Sequence, residues 1–167
     1  MARRKKENRW EDIDGGMAFV IPYTLLRHPN YTRLSPFAHK LVQDLARQYT
    51  GFNNGYLCAS WALMQDAHWN SENTVRKAAA ELEHYRIIER TKQGGRNAAT
   101  LYAFTWRRID WKKDRPLDVS ATAKPSDSWK HERPDYVRST GKRKGPRAAK
   151  TELVQRPVLQ REGAKAA

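Results

Sequence analysis

The first half of the chain alternates between short apolar runs and apolar residues at helical spacing. Residues 17–21 form an apolar run that Pro22 stops, which is typical of an edge strand or an extended lead-in. Ser35 and Pro36 then supply a capping residue and a proline suited to the first turn of a helix. Apolar residues at the spacing of an amphipathic helix follow them, with a stop near Gly51: Phe37, Leu41, Leu45 and Tyr49.

Two further helices are predicted, separated by a short interruption. Ser60 can cap the first of them, and residues 68–70 interrupt it. Ser71 offers an oxygen to the free amides of the next helix, and Glu72 adds negative charge at its positive end. Periodicity predicts a buried face of Val75, Ala78, Ala79 and Leu82, and a more exposed face of Asn73, Thr74, Arg76, Lys77, Ala80, Glu81 and His84.

Strands are predicted on either side of these helices. A brief one is expected over residues 56–59, and two longer ones over 86–91 and 100–106, which are rich in strand-forming residues. Between the last two, residues 93–97 form a glycine-containing hairpin tip where positive φ is expected at glycine. The order of elements predicts an α+β fold, a winged helix-turn-helix with a three-helix core and a small antiparallel β wing.

Charge narrows the class of partner. The chain has 32 Lys and Arg against 18 Asp and Glu, a formal net charge of +14, which attracts polyanions such as nucleic acid or an anionic membrane surface. No apolar run approaches the roughly 20 residues that cross a bilayer, and no signal peptide is recognised. We therefore expect no membrane partner and a cytoplasmic protein, associated with the nucleoid when bound to DNA.

Composition divides the chain into three parts. Residues 1–15 are charged and poor in apolar residues, and 112–167 are basic and broken by Pro and Gly, so both are predicted to be disordered basic tails. The folded unit is predicted to span 16–111. Trp10 and Trp129 fall in the tails, where an aromatic residue can serve as a docking motif for a partner protein.

The order of elements resembles the winged helix-turn-helix DNA-binding proteins of bacterial phages, plasmids and mobile elements, whose members are usually described as helix-turn-helix or replication-type proteins. The resemblance spans about 16–111 and implies binding of duplex DNA by the helix that starts at Ser71. It departs from the commoner pattern where three alanines, 78–80, replace bulkier residues. The segments that carry it are residues 16–22, 34–36, 49–55, 69–75 and 105–106.

Side chains at the start of that helix are suited to DNA. Arg can bind guanine, Asn can bind adenine, and Ser or Thr can donate to phosphate when the helix lies in the major groove. The alternative is that these residues only cap and solvate a surface helix. The residues predicted to contact DNA here are Ser71, Asn73, Thr74, Arg76 and Lys77.

The hairpin tip is the second predicted contact. Lys92, Arg96 and Asn97 flank its glycines and could lie along the backbone or in the minor groove. Turn chemistry alone would also explain the glycines. A basic extension beyond the last strand is a further hint, although Lys and Arg are also the usual solvent-facing residues: Arg107, Arg108, Lys112 and Lys113.

No set of residues predicts catalysis, so we expect a protein that is not an enzyme and needs no metal or cofactor. The five histidines match no metal-ligand spacing, and Cys58 is the single cysteine. Tryptophans could stack on single-stranded bases. Trp61, Trp69 and Trp106, however, fall where the pattern favours a core.

Three functions are compatible with this sequence. The first is a duplex DNA binder that regulates transcription of a bacterial mobile element. The second is a plasmid or phage replication or maintenance factor, which grips an origin and recruits a protein partner through its C-terminal tail. The third is an adaptor or inhibitor that binds another protein. Winged domains often pair on DNA, so a homodimer is possible, although no coiled-coil heptads are present.

Overall fold

The computed structural model describes residues 18–96 and 98–137. Over these residues the protein is mixed α+β, with five α-helices and one three-stranded antiparallel sheet. None of these helices is long and apolar enough to cross a membrane. In chain order the elements are α1 (Tyr23–Leu26), α2 (Pro29–Thr32), α3 (Pro36–Ala46), β1 (Leu57–Cys58), α4 (Trp61–Asp66), α5 (Glu72–His84), β2 (Ile88–Lys92) and β3 (Leu101–Phe104).

The predicted capped starts of α3 and α5 are confirmed, whereas Ser60 precedes α4 without a side-chain capping hydrogen bond. The Ser35 hydroxyl accepts a hydrogen bond from the Ala38 amide at 3.3 Å, and Pro36 opens α3. The Ser71 hydroxyl accepts from the Thr74 amide at 3.4 Å at the start of α5. α3 ends at Ala46, earlier than expected, while residues 18–22 are extended and do not join the sheet.

The sheet has the order β1-β3-β2, so β3 is central and its two neighbours run antiparallel to it. Leu57 pairs with Tyr102 on one side and Ile88 with Phe104 on the other. All three strands lie where the sequence predicts them and are shorter than expected. β2 and β3 form a hairpin that reaches toward its tip through one further bridge, between Gly95 and Ala98.

The core lies between α3, α5 and the sheet. Predicted core residues on α5, namely Val75, Ala78, Ala79 and Leu82, are buried, and so are Trp69 and Trp106. α5 packs against α3, and larger residues of α3 and β3 fill the core beside the small alanines. The core cluster includes Leu41, Val42, Leu45, Leu57, Met64, Ile87, Ile88 and Phe104.

Two expectations about single residues are wrong. Glu81 was expected on the exposed face of its helix, but it is 4% exposed because it contacts the start of α3. Positive φ was expected at the glycines of the hairpin tip. In the described chain the glycines with positive φ are instead Gly51 and Gly55. Gly94 is required for another reason, since a Cβ there would lie 2.5 Å from the Thr100 amide nitrogen.

The folded unit continues past residue 111, so the expectation of disorder from residue 112 onward is wrong for 112–137. We call these residues the C-terminal strap. Trp129 is 3% exposed and packs in the core cluster, where its ring meets His28 edge-on at 5.4 Å. The strap has little regular structure, and hydrogen bonds to distant polar side chains hold it instead.

Asn30 is the main anchor of the strap. Its side chain is fully buried; the amide nitrogen donates to the carbonyls of Trp129 and His131, and the amide oxygen accepts from the Arg133 amide, all at 2.8 Å. The Tyr85 hydroxyl accepts from the amide of Tyr136 at 3.0 Å. The expected tails, 1–15 and the remainder of 112–167, and also Asn97, fall outside the described residues.

Candidate nucleic-acid interface

The turn between α4 and α5 is clamped onto α3. The Trp69 indole donates to the buried Asp44 carboxylate at 2.7 Å. The Lys40 ammonium donates to the same carboxylate and to the Ala67 carbonyl, both at 2.8 Å. His68 adopts a left-handed backbone, φ 59°, which lets the chain reverse within a few residues. The clamp therefore fixes the position where α5 begins.

The far end of α5 is fixed to α3 by Glu81. Its carboxylate accepts from the Ser35 amide at 2.6 Å and from the Ser35 hydroxyl at 2.7 Å. A capping-box glutamate makes the same contact to an N-cap residue from within one helix, whereas Glu81 makes it from a neighbouring helix. One polar contact just before α5, at Trp69, and one near its far end, at Glu81, thus set its direction relative to α3.

The amino-terminal half of α5 presents its polar side chains to solvent. Asn73, Arg76 and Lys77 are exposed, and Thr74 and Ser71 are half-buried. Ser71 is occupied as the helix cap. These five predicted residues therefore share one end of one helix, with Asn73, Arg76 and Lys77 free of any core role.

Arg76 also has a partner on its own helix. Its guanidinium pairs with the Glu72 carboxylate at 2.5 Å, in the i, i+4 relation, and both side chains are exposed. An exposed pair of this kind is worth at most about 1 kcal/mol. Arg76 can therefore exchange the carboxylate for a phosphate or a base edge at little cost.

The β2–β3 hairpin holds the other predicted contacts in different environments. Arg96 is exposed at the tip. Lys92 is half-buried at the end of β2 next to the tip, where its ammonium donates to the Pro116 carbonyl at 3.1 Å. The strap also contacts the tip itself, since the Gln93 amide donates to the Asp118 carboxylate at 2.7 Å. The Arg96 side chain is thus exposed to solvent, whereas the Lys92 ammonium is already bound to a carbonyl of the strap.

A groove of about 340 Å³ separates α5 from the hairpin tip. Arg76 and Glu72 line one wall of it, and Gly94 and Gly95 line the other. Of the predicted contacts on α5, Arg76 lines this groove. The rest of the lining is mostly small side chains, which leave room for a backbone to approach: Ala59, Ser60, Ala79, Ala98, Ala99 and Thr100.

Several cations of the described chain are not ion-paired. Arg33, Lys40, Arg90 and others pair with carboxylates. Residues 18–137 carry 18 Lys and Arg against 12 Asp and Glu, so the folded part is basic in itself. Exposed or half-buried cations with no ion pair to a described residue include Lys77, Lys92, Arg96, Lys112, Lys113 and Arg115.

Reasoning from sequence missed the residues that position the site. Asp44, Lys40 and Glu81 act through contacts with residues 25 or more positions away in sequence, and no local pattern signals such pairings. The same is true of Asn54, whose buried side chain binds backbone groups of Phe104 at the end of β3. Within the described ranges, no three His, Cys, Asp or Glu residues group closely enough to hold a metal ion.

Comparison of the chain with protein-family models, with curated proteins and with solved structures finds no match.

Proposed function

We propose that the protein is a winged helix-turn-helix protein that binds duplex DNA with α5 in the major groove and the β2–β3 hairpin on the backbone. The observation that carries the proposal is the double attachment of α5 to α3. That attachment holds Asn73, Arg76 and Lys77 outward at one helix end, beside the hairpin. A base-reading helix needs this, because its side chains must reach base edges in a fixed register.

The order of elements supports the proposal. Helix α3, strand β1, helices α4 and α5, and then the β2–β3 hairpin follow one another in the order of a winged helix-turn-helix. The sheet order β1-β3-β2 places the hairpin at the side of α5. The amino terminus of α5 also carries partial positive charge, which favours a phosphate at that end.

The division of labour follows from side-chain chemistry. Arg76 and Asn73 can form paired hydrogen bonds with guanine and adenine, and Lys77 can contact a phosphate. Arg96 at the hairpin tip is suited to backbone or minor-groove contact. A protein of this kind acts on transcription by occupying a DNA site, which is the regulatory role in a mobile element that we propose.

The test is loss of duplex binding when the α5 cations are removed. We expect Arg76→Ala with Lys77→Ala in the full-length protein to weaken binding of a selected duplex about 10- to 100-fold, because a base contact and a phosphate contact are lost. Fluorescence anisotropy over a series of salt concentrations measures this. The affinity of this variant should also fall less steeply as the salt concentration rises, because fewer counterions are released on binding.

The matched control removes the same charge elsewhere. Arg27 and Lys124 are exposed on other elements, so Arg27→Ala with Lys124→Ala lowers the net charge equally. We expect this variant to stay within about threefold of the unchanged protein. An equal loss in both variants would show that overall charge, rather than α5, provides the affinity.

A further inference from the structure

Trp111 is an exposed tryptophan on a loop that is hydrogen-bonded to Tyr56. Its side chain is 67% exposed, whereas Trp69, Trp106 and Trp129 are buried. The loop over residues 111–116 is held at both sides by one tyrosine: the Lys112 amide donates to the Tyr56 hydroxyl, and that hydroxyl donates to the Arg115 carbonyl, both at 2.9 Å. The indole is therefore presented to solvent from a fixed backbone.

Three cations follow this indole closely in sequence, at positions 112, 113 and 115. Lys112 lies over the Tyr56 ring at 5.3 Å from its centroid, and Lys113 and Arg115 are exposed. None of the three makes an ion pair with any residue in the described ranges, although Asp114 lies between them in the chain. Unpaired cations beside an exposed aromatic ring are suited to a ligand that has both phosphates and planar bases.

Two other exposed aromatics, Phe52 and Tyr23, lack this combination. Phe52 is 73% exposed on a turn that has no adjacent Lys or Arg in sequence. Tyr23 is exposed, but the Arg27 guanidinium already covers its ring at 4.3 Å from the centroid. Trp111 thus combines a large ring, a hydrogen-bonded loop backbone and neighbouring cations that make no ion pair within the described part of the chain.

Hydrogen bonds join the loop and the residues just after it to the β2–β3 hairpin. The Lys92 ammonium donates to the Pro116 carbonyl at 3.1 Å, and the Asp118 amide donates to the Thr91 carbonyl at 2.9 Å.

Bases of a duplex are stacked on each other, so their faces are not available to an indole, whereas unpaired bases offer a free face. An exposed indole is therefore better suited to an unpaired base than to a duplex.

We propose that Trp111, Lys112, Lys113 and Arg115 form a second binding site that takes single-stranded nucleic acid. Trp111 stacks on an unpaired base, and the three cations bind the phosphates on either side of it. The site goes beyond the proposed duplex contact and does not depend on it, since it uses none of the α5 residues. DNA and RNA single strands share this chemistry.

The test compares single strands with a blunt duplex in the full-length protein. We expect Trp111→Ala to weaken binding of a short oligothymidylate about tenfold, and duplex binding to stay within about twofold. Trp111→Phe should recover much of the loss, because the phenyl ring still stacks. The same measurement with an oligouridylate shows whether the site also binds RNA. Equal and unequal affinities for the two oligonucleotides both fit the proposal, provided that Trp111→Ala lowers them.

Quenching of tryptophan fluorescence supplies a readout specific to stacking. Oligothymidylate should quench the unchanged protein, and Trp111→Ala should lose most of that quenching. The matched control, Phe52→Ala, removes a similarly exposed ring. It should change neither the affinity for the single strand nor the affinity for the duplex. The proposal is overturned if Trp111→Ala leaves single-strand affinity unchanged, or if it lowers single-strand and duplex affinity equally. Failure of the Arg76 and Lys77 variant to affect duplex binding would overturn the α5 proposal and leave this one standing.

Discussion

A few buried polar side chains set the position of α5. The Asp44 carboxylate accepts a hydrogen bond from the Trp69 indole, and the Glu81 carboxylate accepts hydrogen bonds from the amide and the hydroxyl of Ser35. Buried charged acceptors of this kind are costly unless their donors are present, so each contact favours one arrangement of the helices over the alternatives. These residues matter for the proposed function because a small rotation of α5 would displace its exposed side chains from the major groove of the bound DNA.

At the residue scale, the contact between Glu81 and Ser35 is expected to contribute measurably to stability. Glu81→Ala should lower the free energy of unfolding by about 2–3 kcal/mol, because it leaves the Ser35 amide without its acceptor. Chemical denaturation measures this. In a double-mutant cycle with Ser35→Ala, the two losses should be clearly less than additive.

Glu83→Ala is the matched control for that prediction. Glu83 lies two residues along the same helix and pairs with the partly exposed Arg90 at 2.9 Å. We expect it to change the free energy of unfolding by less than about 1 kcal/mol. Additive losses for Glu81→Ala and Ser35→Ala would mean that the Ser35 hydroxyl and the Glu81 carboxylate do not stabilise each other.

At the element scale, local patterns predicted most of the structure. Ser35 with Pro36 and Ser71 with Glu72 identified the starts of α3 and α5, because capping depends on residues adjacent in sequence. The strap was not predicted, because its contacts pair residues about 100 positions apart, such as Asn30 with Trp129. Low apolar content predicts disorder there, yet Trp129 packs in the core cluster and polar side chains such as Asn30 and Tyr85 bind the strap backbone.

The strap is expected to be part of the cooperative unit. Trp129→Ala in the full-length protein should lower the free energy of unfolding by about 3–5 kcal/mol, since it removes a large buried side chain. Trp111→Ala, which removes an exposed indole from the adjoining loop, should cost less than about 1 kcal/mol. Thermal and denaturant unfolding of both variants make the comparison.

An unchanged stability for Trp129→Ala would show that the strap is not fastened to the core in solution. The prediction also bears on the extent of the domain. A chain that ends at residue 111 lacks Trp129 and the groups that bind Asn30, so it should be less stable than one that ends at 137.

At the scale of the whole molecule, two basic surfaces are proposed on one small domain. The amino half of α5 with the hairpin tip is the proposed duplex surface, and the loop over residues 111–116 is the proposed single-strand site. Charge outside the described residues adds to both: residues 138–167 carry nine Lys and Arg against two Asp and Glu. Basic segments of this composition raise affinity for any polyanion without selecting a sequence.

The fold class was therefore more predictable than the candidate site. Periodicity placed all three strands and the three longer helices, because each is a local signal. The predicted contact residues on α5 could be chosen by type, but their presentation depends on the contacts of Asp44 and Glu81 with distant residues. No local pattern distinguishes the exposed Trp111 from the buried Trp106 and Trp129.

The most direct test of the duplex proposal is an NMR titration of the isotope-labelled full-length protein with a blunt DNA duplex at low salt. We predict the largest amide shifts at residues 71–77 and at the hairpin tip near Arg96, with small shifts in α1, α2 and the strap around Trp129. Shifts confined to other elements, or a uniform small shift across the whole surface, would contradict the placement of α5 against DNA.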